Sequence, residues 1–169
     1  MENIYLIGMM GAGKTTTGEA LAALAAGVNF VDIDQKIQDQ TKLSINEIFE
    51  KRGEEFFRQQ EKQILVEISR QSNLVVATSG GIVLTRENVE RMKETGEIVY
   101  LSASPGTLWE RVQDKKDRPL LQTDDPAAIL HGLYRQRLPL YESAATVTIN
   151  TDHRTPEEVA EEIFRRYFK

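Results

Sequence analysis

The chain has 169 residues, 40% of them hydrophobic, which suits one domain with a buried core. Its net charge of −5 argues against nucleic acid as the main partner, and the absence of cysteine excludes disulfide bonds and thiolate metal sites. No apolar run approaches the length of a membrane span, so we expect a cytoplasmic protein without a membrane partner.

A phosphate-binding motif opens the chain. Residues 8–15 have the sequence Gly-Met-Met-Gly-Ala-Gly-Lys-Thr, which fits the pattern G-x-x-x-x-G-K-[ST]. The apolar run at residues 4–7 predicts a buried strand before the motif, and residues 15–26 predict a helix after it. In this setting, Lys14 is expected to reach the β- and γ-phosphates of ATP and Thr15 to hold Mg²⁺. The alternative is a glycine-rich turn with an unrelated lysine, which leaves the strand and helix around the motif unexplained.

Short apolar runs alternate with amphipathic stretches along the rest of the chain. Strands are predicted at residues 4–7, 29–33, 74–77, 98–101 and 146–149, with helical patterns between them. This alternation predicts an α/β fold in which helices cover both faces of a parallel sheet. Four helix starts are marked by a capping residue with a following Pro or a Glu three positions on, namely Ser44, Ser104, Asp125 and Thr155.

Two aspartates, Asp32 and Asp34, stand at the end of the second predicted strand. Side chains at this spacing share one face of a strand, and ligands of open parallel sheets bind beyond the carboxyl ends of the strands. Because the third predicted strand ends without an aspartate, Asp32 is the candidate for positioning Mg²⁺ through water beside Thr15. Asp34 is the candidate for accepting the proton of a phosphoryl acceptor. The alternative for Asp34 is a helix cap, which explains one aspartate but not the pair.

A mostly charged segment at residues 112–125 breaks the alternation and contains Arg118. It predicts a mobile lid over the nucleotide, with an ordinary solvated connection as the alternative. Gly80 and Gly81 follow the third predicted strand, where they either let the backbone approach a ligand closely or form a plain turn.

Arg58 can also be explained without a functional role. Glu54 lies four residues before it, and such a pair on a helix is the commonest fate of a surface arginine.

Taken together, these motifs closely resemble the shikimate kinase family over nearly the whole chain. Beyond the phosphate loop, the matching residues lie within segments 32–34, 44–49, 53–61, 79–81, 118–121 and 137–141. The loop alone is shared by many nucleotide-binding proteins, whereas the combination is specific. The resemblance implies a single three-layer P-loop kinase domain over residues 1–169, with five parallel strands in the order 2-3-1-4-5. It also implies a shikimate-binding region at residues 33–61 and a lid at residues 112–125.

The family resemblance further implies transfer of the γ-phosphoryl group of ATP, with Mg²⁺, to the 3-hydroxyl of shikimate on the pathway to aromatic amino acids. It implies a monomer. The residues implied for shikimate are Asp34, Arg58, Gly80, Gly81 and Arg137. Those for ATP are Gly11, Ala12, Gly13, Lys14, Thr15, Thr16 and Arg118. Arg111, Arg154 and Pro156 match, less closely, family positions that pack on adenine. The catalytic residues are Asp34, Lys14 and Arg118, and the metal residues are Thr15 and Asp32.

The chain departs from the family at Ser79, where three successive glycines are usual. A positive φ at this position would strain a serine by about 1–2 kcal/mol. Otherwise the residue is tolerated, and its hydroxyl is a candidate contact for the substrate or for a metal-bound water.

Two other functions stay open at this point. One is another small-acceptor kinase of the same fold, acting on gluconate or a nucleoside monophosphate. The set of Asp34, Arg58 and Arg137 favours shikimate over these acceptors. The other is a nucleotide-binding module without catalysis, against which the presence of both Asp34 and Arg118 argues.

Overall fold

The structure is a computed structural model that describes residues 2–168. Its five strands are all parallel and form one sheet in the order β2-β3-β1-β4-β5. The strands are β1 (Asn3–Ile7), β2 (Asn29–Asp32), β3 (Leu74–Ala77), β4 (Gly96–Ser102) and β5 (Val147–Asn150). The parallel direction predicted from the hydrophobic pattern and the strand order implied by the family resemblance are both confirmed.

Eight α-helices of the described chain connect and flank the strands. They are α1 (Lys14–Leu24), α2 (Ile33–Thr41), α3 (Ile45–Lys51), α4 (Gly53–Ile68), α5 (Arg86–Thr95), α6 (Pro105–Val112), α7 (Pro126–Ala144) and α8 (Pro156–Tyr167). Two short 3₁₀ helices lie at Ile82–Leu84 and Pro119–Leu121. Among residues 2–168, no helix is long and apolar enough to cross a membrane.

The central strand β1 is buried along its whole length and pairs with β3 on one side and β4 on the other. In this register Leu6 lies beside Ala77 and Val99. A strand buried on both faces needs the continuous apolar runs that β1 and β3 have. Since all strands run in one direction, the loops that follow β1, β2 and β3 open at the same edge of the sheet.

The four predicted helix caps are confirmed. Ser44 and Thr155 form capping boxes with Glu47 and Glu158, and the side chains of Ser104 and Asp125 accept hydrogen bonds from the backbone of α6 and α7. These contacts satisfy backbone N–H groups that a helix start leaves without partners.

The end of β2 differs from the prediction. The strand stops at Asp32, and Ile33 is already the first residue of α2. Asp32 ends the strand because its Oδ1 accepts a hydrogen bond from the backbone N–H of Gln35 at 3.1 Å, which caps the helix. The cap is thus Asp32, and the alternative that made Asp34 the cap is wrong. Asp34 lies instead in the first turn of α2.

Helices α3 and α4 meet at a corner formed by Arg52 and Gly53. Gly53 stands at the corner with a φ of 85°, a left-handed conformation that glycine adopts without strain. The corner lets α4 start in a new direction, with Arg58 near its N-terminal end.

Candidate active site

A cavity of about 570 Å³ lies at the carboxyl edge of the sheet. The phosphate loop forms its floor, and Asp32, Asp34 and Thr78 form one wall. Its rim is formed by Arg111, Lys115, Arg118, Thr151, Arg154, Pro156 and Val159. A second cavity of about 70 Å³ shares Met10, Asp34, Gly80 and Arg118 with the first, so the two are neighbours.

The phosphate loop holds its lysine over the floor of the larger cavity. Lys14 Nζ donates to the backbone carbonyl oxygens of Gly8 at 2.6 Å and Met9 at 3.1 Å. Burial, helped by the positive charge of Arg118, lowers the pKa of Lys14 to about 8. A nearby anion would reverse this effect, because opposite charge favours the protonated form. The loop is therefore built to receive a negatively charged group.

The loop also requires its glycines. Gly11 and Gly13 have φ values of 82° and 89°, in the left-handed region that other residues rarely adopt. A Cβ atom on Gly11 would lie 2.8 Å from Val112 Cγ1 of α6, which leaves no room for a side chain.

Thr15 and Asp32 form a pair of oxygen ligands at the start of α1. The Thr15 hydroxyl donates to Asp32 Oδ2 at 2.6 Å, and Oδ1 of the same carboxylate is held by the helix cap. Hydroxyl and carboxylate oxygens are the ligands that Mg²⁺ prefers. Within residues 2–168, no group of three or more His, Asp or Glu side chains could hold a metal alone. A cation here would therefore also need oxygen atoms from water or from a ligand.

Asp34 is half-buried where the two cavities meet. Burial raises the pKa of its carboxyl group, and the negative charge of Asp32 raises it further, while Ser79 and Lys14 act in the opposite direction. A carboxylate whose pKa is raised accepts a proton more readily. The environment of Asp34 thus favours protonation of its carboxyl group next to both cavities.

Arg58 reaches the smaller cavity from α4. Its guanidinium donates to Glu61 Oε2 at 2.9 Å and to Glu54 Oε1 at 3.2 Å. The predicted ion pair with Glu54 is therefore present, yet Arg58 also lines the cavity. A Cβ atom on Gly81 would lie 2.3 Å from Arg58 Nη2, so the guanidinium occupies the space that glycine leaves.

Arg137 lies on α7 with only 3% of its surface exposed. It lines the smaller cavity, and within residues 2–168 it forms no ion pair and its Nε has no hydrogen-bond partner. One helical turn further on, the buried hydroxyl of Tyr141 donates to the carbonyl oxygen of Gly80. A buried cation without a counter-ion is unfavourable unless an anion joins it. The smaller cavity is therefore suited to a carboxylate.

Arg118 lines both cavities from the segment that connects α6 to α7. Its Nε lies 3.9 Å from Asp117 Oδ1, beyond hydrogen-bonding distance. Nearby, the Asn46 side chain of α3 donates to the backbone carbonyl of Lys116 at 2.7 Å. This contact links the segment to helix α3.

Two further arginines build the rim of the larger cavity. Arg111 donates to the carbonyl oxygen of Gly11 at 3.0 Å and to that of Thr151 at 2.9 Å. Arg154 donates to the carbonyl oxygen of Asn150 at 3.1 Å and pairs with Glu162 at 2.7 Å. Both guanidinium groups are therefore held in place at the rim of the larger cavity.

All residues predicted for the site line one or both of the cavities. The sequence did not identify Thr78, Lys115, Thr151 and Val159 in the larger cavity, or Phe49 and Phe57 in the smaller one. No role was predicted for Glu61 either, although its spacing of three residues from Arg58 indicates a contact between the two side chains on a helix. Ser79 is not among the residues with positive φ, so it does not carry the strain that such a conformation would cause.

The phosphate loop, the hydroxyl–carboxylate pair and an adjoining pocket with two arginines define a P-loop kinase that acts on a small acidic molecule. The shikimate kinase family model matches residues 10–167. A shikimate kinase from Caldanaerobacter subterraneus subsp. tengcongensis is 42% identical over 169 residues, covering 100% of this chain and 98% of the relative. Another from Thermodesulfovibrio yellowstonii is 44% identical over 167 residues, covering 99% and 95%. The chain belongs to the shikimate kinase family.

Solved structures agree with this assignment. Shikimate kinase from Acinetobacter baumannii, in complex with shikimate, matches with a TM-score of 0.94 and 39% identity, covering 100% of this chain and 96% of that one. A gluconokinase from Sinorhizobium meliloti matches with a TM-score of 0.58 and 18% identity, covering 95% and 88%. The second likeness concerns the fold alone.

Proposed function

We propose that this protein transfers the γ-phosphoryl group of ATP to the 3-hydroxyl of shikimate, giving shikimate 3-phosphate and ADP. The observation that carries the proposal is the buried, unpaired guanidinium of Arg137 in the same small cavity as Arg58 and Asp34. A planar carboxylate matches the forked donors of arginine better than the single ammonium of lysine. An acceptor held by two arginines would present a ring hydroxyl to Asp34.

The larger cavity is proposed to hold the nucleotide. The backbone N–H groups of Gly11, Ala12 and Gly13, together with Lys14 and Thr16, would bind the phosphates. Arg111, Arg154 and Pro156 would flank the base at the rim. The distance between the loop and the acceptor cavity is short, because Asp34 and Gly80 belong to both.

Mg²⁺ fits the Thr15 and Asp32 oxygens, and when bound it would neutralise charge on the phosphates. Thr15 is proposed as a ligand, and Asp32 is proposed to act through water. The protein's own residues would perform the remaining steps. Asp34 takes the proton from the acceptor hydroxyl, Lys14 stays against the phosphates, and Arg118 stabilises the charge of the transferring group.

We further propose that residues 112–125 act as a lid and that the enzyme is a cytoplasmic monomer. Closure of the segment would bring Arg118 onto the phosphoryl group and exclude water that competes with the acceptor. An arginine in this role raises turnover by about 10³-fold or more.

A coupled assay with ATP and Mg²⁺ tests the proposed activity. Shikimate, gluconate and AMP are offered separately under the same conditions, and ADP release is followed. We expect turnover with shikimate and little with the other two. Turnover with gluconate instead would assign the two arginines to a sugar acid, and nucleotide binding without any product would indicate a module that has no catalytic role.

The role of Asp34 is tested by Asp34→Asn. Since the amide cannot accept a proton as the carboxylate does, we expect kcat to fall by about 10²- to 10⁴-fold. Affinity for ATP, measured by calorimetry, should stay within a few-fold of the unmodified enzyme. If nucleotide binding is lost and turnover per bound nucleotide is spared, Asp34 and Asp32 have exchanged roles.

A further inference from the structure

Three buried oxygen atoms belong to side chains in or next to the wall of the smaller cavity, since Asp34 and Ser79 line it and Glu61 contacts the lining residue Arg58. Asp34 Oδ1, Glu61 Oε1 and Ser79 Oγ are almost inaccessible to solvent, and none has a hydrogen-bond partner of good geometry among residues 2–168. The Ser79 hydroxyl nevertheless lies near enough to both carboxyl groups to oppose the rise in pKa that burial causes in each. Buried polar atoms in folded proteins are rarely left without partners, so the cluster needs an explanation.

Among these three groups, only Ser79 has a hydrogen to donate when both carboxyl groups are ionised. Glu61 is already held through its other oxygen, Oε2, which accepts from Arg58 at 2.9 Å. Within the described residues 2–168, no such hydrogen bond anchors Asp34, and it lines both cavities while its Oδ1 is buried. Oδ2 is therefore the oxygen that faces the cavities, and its direction depends on what holds Oδ1.

We propose that Ser79 is a positioning residue for Asp34. Its hydroxyl donates to Asp34 Oδ1 and so keeps Oδ2 turned toward the acceptor hydroxyl. This inference rests on the proposed function, in which Asp34 accepts the proton of that hydroxyl. It assigns to Ser79 a role in the chemical step and none in holding the substrate carboxylate, which belongs to Arg58 and Arg137.

A water molecule could replace the hydroxyl, and this gives a sharp test. Removing the whole side chain in Ser79→Gly leaves room for a water among oxygen atoms able to accept its two hydrogens. Ser79→Ala keeps a methyl group there, which excludes water and donates nothing. If Ser79 acted only through the backbone, Ser79→Gly would be the more damaging substitution and Ser79→Ala the milder one. Glycine raises the entropy of the unfolded chain, and alanine does not.

The experiment compares the steady-state kinetics of Ser79→Ala, Ser79→Gly and the unmodified enzyme with shikimate and ATP. We expect kcat of Ser79→Ala to fall by about 10-fold or more, the size of a lost hydrogen bond to a charged group. Ser79→Gly should stay within about threefold of the unmodified enzyme. KM for shikimate should stay within about twofold in both variants.

Ser69→Ala is the matched control. Ser69 is also buried, but its hydroxyl donates to the carbonyl oxygen of Val66 at 2.9 Å, away from the two cavities. Thermal unfolding of all variants separates a loss of stability from a loss of turnover. We expect Ser69→Ala to change the unfolding temperature without changing kcat.

Three results would overturn the role of Ser79 while leaving the kinase activity in place. The first is a kcat for Ser79→Ala within about twofold of the unmodified enzyme. The second is an equal or larger loss in Ser79→Gly, which would indicate a backbone effect. The third is a raised KM with unchanged kcat, which would place the hydroxyl on the substrate. If the unmodified enzyme does not phosphorylate shikimate, the proposed function fails and this inference fails with it.

Discussion

At the scale of single residues, the buried charge of Arg137 gives a prediction about binding of the proposed acceptor. Its guanidinium is 3% exposed and forms no ion pair with a residue in the described part of the chain. Because lysine keeps the charge but loses the fork of donors, Arg137→Lys should raise KM for shikimate by about 10- to 100-fold. Steady-state kinetics at saturating ATP would measure the change, and kcat should change less than KM.

Arg86→Lys is the control for this substitution. Arg86 keeps 88% of its side chain exposed, and its ion pair among residues 2–168 is with Glu90 on the same helix, so lysine should replace it without effect. A KM in Arg137→Lys close to that of Arg86→Lys would show that Arg137 does not bind the acceptor.

Glu61 gives a prediction on stability and pH. Burial raises the pKa of its carboxyl group, and the nearby charge of Arg58 only partly opposes this. The folded protein therefore binds a proton at Glu61 more readily than the unfolded chain does. As the pH rises from about 4.5 through the folded pKa, the protein should lose stability relative to Glu61→Gln. Urea unfolding at several pH values would measure the two free energies.

Glu55→Gln, at an exposed position on the same helix, is the matched control for Glu61. Its free energy of unfolding should follow that of the unmodified protein across the pH range. A difference between Glu61→Gln and the unmodified protein that does not vary with pH would contradict the assigned effect of burial.

Single residues also show where prediction from the sequence works and where it fails. The phosphate loop was predictable because its glycines, lysine and threonine act through local geometry. Asp32 and Asp34 were assigned to the right cavity for the wrong reason, since the chain turns into α2 between them. The space that Arg58 takes above Gly81 depends on packing between distant segments, which the sequence does not show.

At the scale of elements, α3 and the proposed lid are joined by one hydrogen bond, from Asn46 to the carbonyl oxygen of Lys116 at 2.7 Å. Asn46→Ala removes this donor and should leave residues 112–125 less well held. We expect hydrogen exchange in this segment to speed up and kcat to fall by about two- to fivefold, as suits a bond of about 1 kcal/mol.

Gln35→Ala is the control for Asn46→Ala. Its side-chain amide also donates on a helix surface, to Asp39 at 2.9 Å, but the contact stays within α2. Unchanged exchange in residues 112–125 on loss of the Asn46 side chain would mean that the hydrogen bond does not restrain the segment.

The elements themselves were largely predictable. Buried strands such as β1 and β3 have continuous apolar runs, and the capping residues mark the helix starts. The ends of the strands were harder to predict. Strand β4 extends from Gly96 to Ser102 and includes polar residues near both ends. Backbone pairing holds those residues in the sheet, with β1 at Gly96 and Glu97 and with β5 at Ser102, and the hydrophobic pattern does not show this pairing.

For the whole molecule, the surface favours a single chain in solution. Among residues 2–168, the large hydrophobic side chains that are exposed are Leu24, Leu84, Ile129 and Leu140, each between 38% and 46%. They are spread over three elements, so no broad apolar face is offered to a second copy. Sedimentation over a range of protein concentrations should give one species with the mass of one chain. A species of twice that mass that grows with concentration would contradict this.

The absence of a side chain at Gly81 has a consequence for resistance to inhibitors. A compound that binds against Gly81 and Arg58 could be blocked by a bulkier residue at position 81. Such a residue would start 2.3 Å from the guanidinium and push it out of place. The mutation that excluded the compound would then also weaken the proposed binding of the acceptor by Arg58. Resistance through position 81 would therefore reduce the activity of the enzyme.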